Sequence, residues 1–142
     1  MKHLKIPGAA TAISALFLFA GSMAHAEMLS FTAELAGASG VPPTDSAATG
    51  MVEVALDTEA KTVTWTVTSK DLSGEPTASH IHGPASPTEA AGPQIDTLAT
   101  SAGSAPITDA QIADLTAGKY YYNIHTAKYP DGEIRGQLMA AK

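Results

Sequence analysis

In the stretch Ser79-His80-Ile81-His82-Gly83-Pro84-Ala85, two histidines stand one residue apart, directly ahead of a Gly-Pro. Imidazole titrates near neutrality and offers a lone pair to borderline transition metals, so a His-x-His pair reads first as acid–base or metal chemistry. In extended backbone alternate side chains share a face. His80 and His82 therefore project together, with Cα atoms about 6.5–7 Å apart, close enough to share one ion at about 2.0 Å per bond. A further histidine, His125, lies in Asn123-Ile124-His125-Thr126. Three imidazoles would hold copper or zinc and leave one coordination position open.

The same alternation sorts the neighbours. If Ile81 and Ile124 go to the core, all three histidines face outward, and Tyr121 and Asn123 share the face of His125. In Glu133-Ile134-Arg135-Gly136-Gln137-Leu138, burying Ile134 and Leu138 leaves Glu133, Arg135 and Gln137 outward. Asn123 and Arg135 are thus candidates to support the metal site from outside the ligand set. Glu133 and Arg135 read as a surface ion pair of little energetic weight. The sequence does not say which strands adjoin. The competing reading is structural, because a single histidine near a turn commonly braces a main-chain carbonyl. Three on one inferred face favour the metal.

The elements that must position these residues are strands. Phe31, Ala33 and Leu35 alternate with polar or small residues in 29–37; Val52, Val54 and Leu56 do so in 51–57, and Val63, Trp65 and Val67 in 62–69, with threonines between them. The 51–69 region reads as a hairpin. Loop is expected over 40–50 and 86–94, and strand over 75–85, 95–103, 119–126 and 134–140. One helix is expected after Pro106, because Thr108 and Gln111 have the spacing of a capping box and Gly118 supplies a left-handed stop. Short strands, frequent turns and one short helix predict an all-β fold, an antiparallel β-sandwich or small Greek-key barrel.

Composition narrows the function. Residues 1–26 have a cationic start, an apolar run too short to span a bilayer and a small-x-small end at Ala24-His25-Ala26, the pattern of a secretory signal peptide. Cleavage after Ala26 would leave one domain, residues 27–142, periplasmic or secreted, with His80, His82 and His125 as its histidines and no membrane span. The chain has no cysteine, which excludes thiolate metal sites and disulfide staples alike. Loss of Lys2 and Lys5 would leave six Lys and Arg against fourteen Asp and Glu, so nucleic acid is an unsuitable partner and a cation a suitable one. No GxSxG nucleophile turn is present, and no pair of carboxylates stands out for glycoside chemistry. Met28, Met51 and Met139 are expected in the core, although thioethers also suit Cu(I).

His-Ile-His-Gly-Pro-Ala at 80–85, together with Asn-Ile-His-Thr at 123–126 and Pro-Asp-Gly-Glu-Ile-Arg-Gly-Gln-Leu at 130–138, resembles the CHRD domain, a family named for chordin. The resemblance implies a β-sandwich and little about activity. The histidine arrangement is also loosely similar to Cu,Zn superoxide dismutases, by which His80 and His82 would match the His-x-His copper pair, His125 a later ligand and Arg135 an anion-guiding residue. The chain lacks a fourth histidine, a zinc loop and a cysteine pair, so that activity ranks third. The leading expectation is an exported copper-binding protein, with zinc as the alternative ion and a copper donor or acceptor protein as partner. The second is a non-catalytic adhesion or matrix module with structural histidines.

Overall fold

The structure, a computed structural model, describes residues 26–142; apart from Ala26, the segment read as a signal peptide lies outside the described residues. Among the described residues, nine strands and one α-helix follow in the order β1 (Met28–Ala36), β2 (Thr49–Asp57), β3 (Thr62–Lys70), β4 (Pro76–His82), β5 (Pro93–Asp96), β6 (Ala102–Pro106), α1 (Asp109–Thr116), β7 (Tyr121–Thr126), β8 (Ile134–Gln137) and β9 (Met139–Ala140), with a single 3-10 turn at Gly37–Ser39 after β1. All pairings are antiparallel, and they join the strands into one sheet ordered β5-β4-β7-β8-β1-β2-β3-β6, with β9 added to β1. Of the two architectures expected, the single continuous sheet is the barrel-like one.

Hydrophobic alternation drives the curl. Phe31, Val54, Trp65, Ile81, Tyr122 and Ile134 all point to one interior, each at most 4 % exposed. A twisted sheet with one apolar face buries it by rolling around it, and each large aliphatic or aromatic side chain so enclosed contributes about 1.5–3 kcal/mol. The expected strand over 95–103 is two strands instead. β5 ends at Asp96, residues 97–101 turn, and β6 begins at Ala102. The reason is positional, since β5 and β6 occupy opposite edges of the sheet and the chain must cross between them. The crossing is hydrogen-bonded to both sides: Thr97 N–H donates to Ser79 O and Val67 N–H donates to Ser101 O. The barrel is thereby nearly shut.

The helix begins as the capping box dictates. The Thr108 side chain accepts from Gln111 N–H, the Gln111 side chain accepts from Thr108 N–H, and Gly118 takes φ 72° just past the end. Leu115 is its buried contact with the core. Helix α1 delivers the chain to β7, where Tyr120 enters the core and Tyr121 turns to the opposite face.

Backbone approach is closest where β8 meets β1, because a Cβ at Gly136 would collide with the Glu34 carbonyl. Gly136→Ala is expected to lower stability by about 1–3 kcal/mol. Gly74→Ala, with no atom within 4 Å of the added methyl, should change it by no more than about 1 kcal/mol. Urea unfolding of the two variants measures the difference.

Candidate functional site

Strands β4, β7 and β8 are neighbours, and their register builds a lattice on the face turned away from the core. His80 lies opposite Asn123, which lies opposite Arg135; His82 lies opposite Tyr121, which lies opposite Gln137; His125 lies opposite Ala78. The small Ala78 leaves room for the His125 ring to lean toward β4. The three imidazoles meet, with ring centroids 5.3 Å (His80–His82), 5.1 Å (His80–His125) and 5.9 Å (His82–His125) apart. One nitrogen from each lies within 4.8 Å of the other two.

Main-chain carbonyls fix where the ring protons sit. His82 Nδ1 donates to Ala91 O at 2.9 Å, so its lone pair is on Nε2, a buried atom with no partner. His125 Nδ1 donates to Pro130 O at 2.9 Å, so its lone pair is also on Nε2. That Nε2 lies 3.3 Å from His80 Nδ1, which therefore carries the proton between them. Two carbonyls thus orient two imidazoles with their lone pairs turned toward the cluster, the role outer-shell acceptors play at histidine metal sites.

Charge follows burial. His82 is 8 % exposed, and His80 and His125 are half-buried. Desolvation is the main cause that holds both His80 and His82 below the ordinary histidine range. The nearby His125 adds to this for His80, and the His80, His125 and Arg135 charges add to it for His82. Asp96 opposes the shift in His80 and the Ala91 carbonyl opposes it in His82, without reversing either. Both rings are neutral at pH 7, the form that coordinates a metal.

The site fits an ion on these grounds. Nitrogens bound tetrahedrally at about 2.0 Å lie about 3.3 Å apart. The His80–His125 separation already has this value, and a nitrogen of His82 lies within 4.8 Å of both. Metal and the His80–His125 hydrogen bond are mutually exclusive, so binding displaces or relocates one proton.

The sheet face is not the open surface that the outward pattern implies. Loops 40–44, 83–92 and 127–133 fold over it, leaving Tyr121 at 3 %, Asn123 at 8 % and Arg135 at 3 % exposure. Tyr121 is clamped. The His82 ring stacks on it from the β4 side, centroids 4.9 Å apart and planes within 10°, and the Arg135 guanidinium stands 3.5 Å from its centroid on the β8 side. Its hydroxyl donates to Ala91 O, the same carbonyl that receives His82. Neither Asn123 nor Arg135 is hydrogen-bonded to an imidazole: Asn123 Nδ2 donates to Asp131 O and Arg135 Nη2 to Ser86 O. Met28, Met51 and Met139, expected in the core, are 61 %, 43 % and 56 % exposed, because each falls at a strand position facing away from the interior.

Glu133 corrects a second expectation. It does not pair with Arg135 on the surface. It is 1 % exposed, and its carboxylate accepts from Ser46 Oγ, Ser73 N, Ser73 Oγ and Thr126 Oγ1 at 2.6–2.9 Å. The clasp ties the 40–48 loop and the β3–β4 connection to the β7–β8 hairpin beside the imidazoles. Burial alone would raise the pKa of Glu133. The hydrogen bonds from Thr126, Ser46 and Ser73 outweigh it and hold the carboxyl below the usual glutamate range.

A family model described as the CHRD domain matches residues 31–138, a span containing His80, His82, His125, Glu133 and Arg135. No curated protein and no solved structure matches the chain. Because the folded-state pKa of Glu133 is depressed, its contribution is complete above the unfolded-state value near 4.5 and is lost as pH falls through the lower folded value. Glu133→Ala should lower stability at pH 7 by about 2–4 kcal/mol. Glu133→Gln should flatten the acid limb of the stability curve below pH ~4.5, as read by thermal unfolding across pH.

Proposed function

This chain belongs to the CHRD domain family, and we propose that it is an exported metal-binding protein that takes copper, with zinc as the alternative ion, at His80, His82 and His125. The observation that carries the reading is the convergence of three imidazoles, two of them with Nδ1–H given to a carbonyl and Nε2 left with its lone pair. Histidines serving only to brace turns would need no such convergence, and His82 Nε2 would not be left buried without a partner. Copper leads because nitrogen donors bind it most tightly among the divalent first-row metals. The absence of cysteine removes the usual competing soft ligand from the chain.

Export rests on the signal-peptide pattern of residues 1–26 and agrees with a chain in which, among the described residues, no helix is long and apolar enough to cross a membrane. The exported domain would then receive copper from, or give it to, another protein or the medium. Three protein ligands leave a coordination position through which such an exchange proceeds.

Titration of the metal-free protein with Cu(II) should give one equivalent of tight binding and raise the unfolding free energy by about 2.7 kcal/mol when free metal exceeds Kd a hundredfold. The His80→Ala/His82→Ala/His125→Ala variant should keep its fold by circular dichroism and lose that equivalent; stoichiometric tight binding by the triple variant would rule the site out. Protons compete for the same lone pairs, so affinity should fall as pH drops through the depressed pKa values of His80 and His82, below the ordinary histidine range, measurable by competition with a chromogenic chelator.

A further inference from the structure

Beside the imidazoles the sheet face forms the floor of a cleft of about 390 Å³, walled by the 40–44 loop and the turn before β8. Its floor carries a charge without a counter-charge. Arg135 is 3 % exposed, donates one hydrogen bond to Ser86 O at 3.1 Å, and has no carboxylate partner among the described residues. A guanidinium has five N–H donors, and Tyr121 covers its face, not its edge. Glu133, the nearest buried carboxylate along the chain, is saturated by Ser46, Ser73 and Thr126. A buried cation left in this state is costly unless an anion completes it.

The second feature lies in register with the first. Asn123 stands directly opposite Arg135 on β7, where paired side chains have Cβ atoms about 4.5–5.5 Å apart. It is 8 % exposed and lines the cleft, with its amide packed against the backbone of Gly132 and its Oδ1 closed off from solvent. The floor thus presents the hydrogen-bond donors of a cation beside an uncharged amide. The walls above it are apolar, formed by Val41, Pro42 and Pro130. At the rim, Lys128 and Asp131 carry opposite charges and bias the cleft little.

We propose that this cleft binds a small carboxylic acid with an apolar body. The carboxylate takes the free edge of Arg135, and the body lies against the proline walls. The volume lies in the range of small-molecule pockets and exceeds what an inorganic anion needs. No part of the site requires a bound metal, so it stands or falls separately from copper binding.

The test uses chelator-treated, metal-free protein followed by amide NMR during titration with mandelate, with phenylacetate (no hydroxyl) and with mandelamide (no charge). Mandelate should saturate and shift amides of Gly40, Val41, Thr44 and residues 121–123, 128–129 and 131–135. Phenylacetate should bind comparably to mandelate, and mandelamide should bind at least about tenfold more weakly than mandelate. Arg135→Gln should cost mandelate about tenfold or more, and Arg135→Lys less, while mandelamide is unaffected by either change. Equal binding of mandelate and mandelamide by the unaltered protein would reduce the cleft to an apolar patch. Shifts confined to other regions, or no saturable shift up to about 10 mM, would overturn the proposal whether or not the variants fold.

Discussion

The whole site depends on the period-two geometry of one pair of strands. With Ile81 and Ile124 committed to the core at 0 % and 3 % exposure, His80, His82, Asn123 and His125 have no face left but the other one. Antiparallel pairing of β4 with β7 then sets which of them meet. The apolar core therefore fixes the chemistry on the far side of the sheet, and a slip of one residue in either strand would bury imidazoles and expose isoleucines. Hydrophobic burial of about 1.5–3 kcal/mol per side chain is a strong guard against such a slip.

Most of this was legible in the sequence. Alternation identified β1, β2, β3, β7 and the inward residues of β8, and Thr108, Gln111 and Gly118 marked both ends of the helix. Strand adjacency was not legible, because pairing partners are chosen by the global packing of the sheet and leave no local trace. The break within 95–103 was hidden for a related reason. Residues 97–101 carry no proline or glycine to signal a turn; Leu98 and Ala99 instead adopt positive φ of 56° and 53° there, imposed by the crossing between edges.

The parts of the site contributed by loops were the least visible. The carbonyls of Ala91 and Pro130 orient His82 and His125, yet a carbonyl belongs to every residue and cannot be read from a side-chain pattern. The Gly-Pro after His82 and the Pro-Asp-Gly after His125 were the only hints that the chain turns back over the ring. Glu133 and Arg135 show the limit of reading outward as exposed. Both leave the barrel interior as the alternation requires, and both are then covered by loops, one satisfied by four hydrogen bonds and the other stacked on Tyr121.

The near closure of the sheet has a consequence for how the molecule behaves among copies of itself. Its two terminal strands, β5 and β6, are only four and five residues long, and the 97–101 crossing lies between them. Unpaired backbone along a sheet margin is the template on which chains stack into aggregates. Here that margin is short and turned toward its own counterpart, so the described strands offer little template for such stacking, and no disulfide is needed to hide it.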